Sequence, residues 1–210
     1  MNYFGHASVA SWRATPGELG GLALGSMLPD FATMSGARVA GSTDEIIARG
    51  IELHHLTDRV FHHAPAVVGL MRDAEARLTA RGCRRGPTRA AAHVGVELLL
   101  DGVLVDDPRH RSAYEAALAI DPAPITWRDD GDAARFAWLH DRLRQHGVPD
   151  DLRRPASVAA RLFRMLAGRR LLAPTSEEQD TIARVLAELQ PRVTVAASTV
   201  LQQVRMGTGS

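Results

Sequence analysis

The 210-residue chain has an ordinary globular composition, with 45% hydrophobic and 23% charged residues. Its 25 basic side chains, all arginine, nearly balance 24 acidic ones, so net charge gives no argument for nucleic-acid or membrane partners. A single cysteine excludes an internal disulfide framework and a cysteine-rich zinc site. With no signal-peptide pattern and no long apolar run, the chain is expected to be cytoplasmic.

The first half of the chain predicts helices. The stretch STDE predicts a capping box, with Ser42 as the N-cap and Glu45 at N3, for a helix that runs to about His63. A second helix is expected from Pro65 to Arg81, ended by Gly82.

The second half continues the helical pattern. Further helices are expected to begin at Pro87, Pro108, Asp129 and Pro155. A second capping box, TSEE at 175–178, predicts the start of a last helix that Pro191 interrupts. Strand-like alternation is scarce. We therefore expect an all-α, single-domain helical bundle over residues 1–205, with a disordered tail over residues 206–210.

The helix around residues 50–63 carries a ladder of metal-ligating side chains. His54, Asp58 and His62 follow each other at intervals of four, so they share one helix face. His55 and His63 fall about 100° from that face and are expected either to be solvated or to support the metal ligands through hydrogen bonds. Because its i+4 partner is Asp58, His54 rather than His55 is the candidate ligand.

A second ladder lies in an apolar helix. His93, Glu97 and Asp101 have the same spacing among valines and leucines. An isolated carboxylate in such surroundings is costly to bury, so these acids need a cation, a hydrogen-bond network or water. Two ladders on two helices can face each other, which is how metal sites in helical proteins are built.

Two residues near the N-terminus are further candidates. His6 stands among apolar neighbours and is either a core or surface histidine or a ligand. Asp30 follows an apolar run and is either an N-cap or a ligand. Elsewhere, His110, His140 and His146 lie in charged segments that look exposed, and they are assigned no role.

Five motifs in this order resemble the acyl carrier protein phosphodiesterase family, a divergent branch of the HD-type metal phosphohydrolases. The motifs cover nearly the whole chain, the first three being fairly specific: they are MNYFGH, GSMLPDF, GIELHHLTD, ELLLDGVL and MLAGRR. The resemblance implies an HD-like helical fold and hydrolysis of the phosphodiester that joins phosphopantetheine to a carrier-protein serine.

The resemblance also implies roles for individual residues. A divalent metal, Mn²⁺ first and Fe²⁺ or Mg²⁺ as alternatives, would be held by His6, Asp30, His54, Asp58 and Asp101. Water activation or general acid catalysis would fall to Glu97, His62 or His93. The family's C-terminal basic element implies phosphate binding by Arg169 and Arg170, which a solvated helix end explains equally well.

This chain departs from the family pattern at several positions. Glu97 stands where the family usually has Asp, and His62 stands where the family often has a second Asp. Where the family has Asp-His, this chain has Asp101–Gly102, so one polar side chain is missing. Two alternatives therefore stay open: an HD-type hydrolase of another small phosphate ester or nucleotide, and a helical binding protein whose metal site has decayed.

Overall fold

The structure is a computed structural model that describes residues 1–209, and 76% of the chain is helical, as predicted. The α-helices are Tyr3–Arg13 (α1), Leu19–Ser35 (α2), Glu45–His63 (α3), Pro65–Ala80 (α4), Arg85–Leu104 (α5), Pro108–Ala119 (α6), Asp132–His146 (α7), Pro155–Leu166 (α8) and Ser176–Thr208 (α9). Two short strands, Val39–Ser42 (β1) and Ile125–Trp127 (β2), and a 3₁₀ helix, Asp150–Arg153, complete the described elements. None of the helices in the described residues is both long and apolar enough to cross a membrane.

The start of α3 differs from the predicted capping box. The Asp44 carboxylate accepts hydrogen bonds from the backbone amides of Ile46, at 2.8 Å, and Ile47, at 3.0 Å, so Asp44 is the N-cap. Ser42 instead lies in β1, which pairs antiparallel with β2, and its hydroxyl accepts a hydrogen bond from the Asp44 amide. The prediction of Ser42 as the cap was therefore wrong, because Ser42 belongs to strand β1 and pairs with Ile125 of β2.

The capping box at the start of α9 is confirmed. The Glu178 amide donates to the Thr175 hydroxyl at 3.3 Å, and the Thr175 amide donates to the Glu178 carboxylate at 2.8 Å. The helix then continues through Pro191 to Thr208, so the predicted interruption was wrong. Residues 206–208 of the predicted tail are accordingly helical, and Ser210 lies outside the described residues.

Prolines mark the starts of three helices, and a fourth predicted start is misplaced. Pro65, Pro108 and Pro155 each occupy the first turn of a helix, as predicted. Pro87 lies inside α5, which begins two residues earlier at Arg85.

The helices pack into two compact units, each with its own buried residues. The first comprises residues 1–60 and 104–149 with the last residues from Gly207. Its core forms where α1, α2 and α6 pack on one another. Aromatic side chains fill that core: Tyr3 lies 5.4 Å from Phe31 and Phe4 lies 5.5 Å from Tyr114, measured between ring centroids. This packing fixes α1, and therefore His6, within the unit.

The second unit comprises residues 61–103 and 150–206. Its buried residues include leucines and valines of α5, α8 and α9, such as Leu98, Leu162 and Leu189. Two glycines let α5 pack closely on its neighbours. A Cβ atom on Gly95 would lie 2.6 Å from the Leu186 side chain, and one on Gly102 would overlap the Leu152 carbonyl oxygen.

Two histidines that look exposed in the sequence are buried in the first unit. His110 and His140 are each 3% exposed, so the expectation of exposure was wrong. His110 points back to the Leu104 carbonyl oxygen, and His140 stacks on Phe136. Charged neighbours along the sequence did not predict burial, because successive residues of a helix face different directions.

Candidate metal centres

The first candidate metal centre joins α1 to α3. His6 Nε2 lies 3.2 Å from Asp58 Oδ1, and His54 Nε2 lies 3.6 Å from Asp58 Oδ2. The two imidazoles stack, with ring centroids 3.9 Å apart. One ligand atom from each of these three residues lies within 4.8 Å of the others. We call this set of His6, His54 and Asp58 group 1.

The orientation of His54 is fixed by a backbone carbonyl of α2. His54 Nδ1 lies 2.8 Å from the Ser26 carbonyl oxygen. Because a carbonyl oxygen only accepts, Nδ1 carries the proton and the lone pair of Nε2 points towards Asp58. This is the arrangement in which an outer hydrogen bond sets the tautomer of a metal-binding histidine.

Close packing of α2 on α3 brings that carbonyl within reach. A Cβ atom on Gly25 would overlap the carbonyl oxygen of Ile47, and one on Gly50 would overlap that of Leu22. The Ser26 hydroxyl also donates to the Gly50 carbonyl oxygen at 3.3 Å. Glycine at both positions therefore lets the helices approach closely enough for the contact between Ser26 and His54.

The electrostatics around His54 and Asp58 give these two residues the protonation states that a metal requires. Burial, and next the charge of His6, lower the pKa of His54 to about 3. Burial acts to raise the pKa of Asp58, but the hydrogen bond with His6 and the positive charge of the Met1 amine, 2.8 Å away, hold it below the usual range. A neutral imidazole and an ionised carboxylate at neutral pH are both ready to coordinate a cation.

Asp30 lies just outside group 1. Its Oδ2 is 4.0 Å from His6 Nε2, and its side chain is 28% exposed. It lies inside α2, directly after Pro29, so the alternative that it caps a helix was wrong. The Asp30 carboxylate adds negative charge near the same ring nitrogen of His6 that lies next to Asp58.

A second group of ligands lies in the second unit. His62 Nε2 is 3.7 Å and His93 Nε2 is 3.1 Å from Glu97 Oε1, and the two imidazole centroids are 4.7 Å apart. Their ligand atoms also lie within 4.8 Å of one another. Glu97 is 8% exposed, whereas the His93 side chain is 51% exposed. We call this set of His62, His93 and Glu97 group 2; it has the same two-histidine, one-carboxylate composition as group 1.

The other predicted site residues belong to neither group. Asp101 is fully buried in α5. Arg169 and Arg170 are exposed in the turn after α8. His55 and His63 are exposed, as the helical period predicted.

The glycine at position 102 has a packing role. Since a Cβ atom there would overlap the Leu152 carbonyl oxygen, α5 can contact the 3₁₀ helix only with glycine at this position. Local packing therefore explains why glycine stands at this position.

Three residues that help to position group 1 were missed in the sequence. Ser26 acts through a backbone carbonyl, for which no side-chain pattern gives a signal. Gly25 and Gly50, in contrast, are glycines within helices, and such glycines are a known sign of close backbone approach. No family model, curated protein or solved structure matches the chain significantly.

Proposed function

We propose that the protein is a divalent-metal-dependent hydrolase of phosphate esters, with group 1 as a metal centre. The observation that carries this proposal is that ligand atoms of His6, His54 and Asp58 lie within 4.8 Å of one another. His6 and His54 are 48 residues apart in the sequence. Two of these three side chains are buried, and a contact with the Ser26 carbonyl oxygen orients the His54 ring. An outer hydrogen bond that fixes the tautomer is typical of metal-binding histidines.

The ligand set narrows the choice of metal. Two imidazoles with one carboxylate suit Mn²⁺, Fe²⁺ or Zn²⁺, whereas Mg²⁺ favours oxygen ligands. Such a cation, when bound, would lower the pKa of a coordinated water molecule and would neutralise negative charge on a phosphoryl oxygen. Asp30, 4.0 Å from His6, is placed to accept a hydrogen bond from a water molecule at the centre.

The narrower substrate, holo-acyl carrier protein, is supported by the sequence resemblance at His6, Asp30, His54 and Asp58. The geometry supports it in so far as three of those four residues form group 1 and the fourth lies beside it. The acid–base roles of Glu97, His62 and His93 stay predictions. These three residues form group 2, whose composition is also that of a metal centre, so they are candidates for metal ligands as well.

Metal stoichiometry tests the metal centres. Protein stripped with a chelator and reloaded with Mn²⁺ or Zn²⁺ is expected to bind two ions per chain, measured by elemental analysis after gel filtration. Asp58→Asn and Glu97→Gln should each remove one ion, since each takes the only carboxylate from its group. Asp180→Asn, an exposed change on α9, is the matched control and should retain both ions. Retention of two ions by Asp58→Asn would exclude group 1 as a metal centre.

Hydrolysis is measured on the same proteins. Bis(p-nitrophenyl) phosphate and holo-acyl carrier protein are offered with Mn²⁺, and loss of phosphopantetheine is followed by mass spectrometry. The proposal expects turnover by the wild type and Asp180→Asn and at least a 100-fold loss in Asp58→Asn, about 3 kcal/mol. Cleavage of the generic diester with an intact carrier protein would reject the carrier protein as substrate, while keeping the hydrolase. Bound metal without cleavage of either compound would reject the hydrolase.

A further inference from the structure

A cavity in the first unit has no part in the proposed metal chemistry. Its volume is about 380 Å³, within the range of about 300–1,000 Å³ typical of small-molecule sites. Arginines and leucines from α1, α2 and α3, with one glutamate, line it: Arg13, Leu22, Arg49, Glu52, Leu53, Leu56 and Arg59. We call it the arginine pocket.

The arginine pocket and group 1 use different faces of α3. At about 100° per residue, Glu52 lies about 200° around the helix from His54, and Leu56 lies about 200° from Asp58. A ligand in the pocket would therefore contact a different side of α3 from a metal at group 1. The pocket needs its own explanation, which does not rest on the proposed function.

The guanidinium groups give the pocket a positive surplus. Glu18 binds Arg49 through two hydrogen bonds, at 2.7 Å and 3.2 Å, which neutralises that arginine and fixes its direction. Among residues 1–209, Arg13 is paired with no acidic side chain. By formal charge, the three arginines of the lining face the carboxylates of Glu52 and Glu18, which leaves a surplus of one positive charge.

The floor of the pocket is apolar. Leu22 is 3% and Leu53 is 8% exposed, so they form part of the core as well as the wall. Beside such a low-dielectric surface, charge–charge interactions are less screened than in open water. The pocket thus combines guanidinium groups with an apolar surface on which the body of an organic ligand can rest.

We propose that the arginine pocket binds the phosphate group of a small organic phosphate, with Arg13 on the phosphate, Arg49 and Arg59 adding positive charge around it, and the leucines against its apolar body. A phosphate has enough oxygens to accept from more than one planar guanidinium, which a carboxylate does less well. Glu52 faces the same space and can accept a hydrogen bond from a hydroxyl group of the ligand. It also limits how much negative charge the pocket accepts.

Calorimetric titration with phenyl phosphate tests the proposal on full-length protein freed of metal by a chelator. Metal-free conditions remove any phosphate binding at a metal, so failure here is distinct from failure of the proposed function. Arg13→Gln is expected to weaken binding about tenfold, the effect of one lost charged hydrogen bond. Glu52→Gln is expected to strengthen it several-fold, because it removes the opposing charge.

Matched controls distinguish binding in the arginine pocket from nonspecific electrostatic attraction of the ligand to the protein. Arg72→Gln makes the same charge change at an exposed position of α4 and should leave the affinity unchanged. Phenol should not bind, and benzoate should bind more weakly than phenyl phosphate. Equal weakening by Arg13→Gln and Arg72→Gln, or a benzoate affinity as high as that of phenyl phosphate, would overturn the proposal. Unchanged melting temperatures of the variants confirm that each is folded.

Discussion

At the scale of single residues, the neighbours of a buried histidine distinguish a candidate metal ligand from a packed core residue. His54 is buried with one ring nitrogen tied to a carbonyl, so its other nitrogen faces Asp58. His140 is also buried, but among the described residues its Nε2 has no hydrogen-bond partner. Burial first, and then the charge of Arg144, lower the pKa of His140. Of these two buried histidines, only His54 belongs to a group of side chains that could hold a metal ion.

His140 makes stability depend on pH in a predictable direction. Its unfolded pKa is about 6.5, and its folded pKa is lower, so the unfolded chain takes up the proton first as the pH falls. The contribution of His140 to stability is thus present above about pH 6.5 and is lost below it. We expect His140→Phe to reduce the fall in melting temperature between about pH 7.5 and about pH 5.5.

Calorimetric scans across that pH range give the measurement. His146→Phe, at the exposed end of α7, is the control and should keep the wild-type pH dependence. An identical pH dependence in His140→Phe and the wild type would show that His140 is not the group responsible.

At the scale of the elements, glycines decide how closely helices approach. Gly25 and Gly50 bring α2 onto α3 and so place the Ser26 carbonyl against His54. Gly102 does the same for α5 and the 3₁₀ helix. The sequence predicted most helices because capping residues and apolar spacing are local signals. It misplaced the cap of α3, because β1 pairs with a strand more than 80 residues away.

Two glycine-to-alanine changes separate packing from helix propensity. On α4, a Cβ atom at Gly69 would meet nothing within 4 Å, so Gly69→Ala should stabilise the protein by about 0.5–1 kcal/mol. On α5, Gly102→Ala should destabilise it by about 1–3 kcal/mol, since the overlap with the Leu152 carbonyl outweighs the same propensity gain.

Urea denaturation of both variants checks this difference. A stabilising Gly102→Ala would show that α5 does not need the close approach.

At the scale of the whole molecule, metal binding and folding should be linked. Group 1 joins residues from α1 and α3, which are adjacent only when the chain is folded, so a metal held there stabilises the native state. At a free Zn²⁺ concentration of about 100 Kd, the gain is about 2.7 kcal/mol per site. For a chain of this length, that corresponds to a rise in melting temperature of about 5–10 °C.

Differential scanning calorimetry with and without Zn²⁺ measures this rise. Asp58→Asn should show a smaller rise than Asp180→Asn, because it loses the stabilisation due to group 1. A rise of the same size in both variants would mean that the stabilising ion binds elsewhere.

The sequence by itself determined the helical class and the spacing of the ladders. Those features depend on the helical period, so contact between His93 and Glu97, and the outward position of His55 and His63, follow from residue numbers alone. Only the tertiary structure decided that His6 joins His54 and Asp58, while His62 joins His93 and Glu97. It also decided that Ser26 orients His54 and that Arg13 shares a pocket with Arg49. The physical reason is that these partners are far apart along the chain and meet only when the helices that carry them pack together.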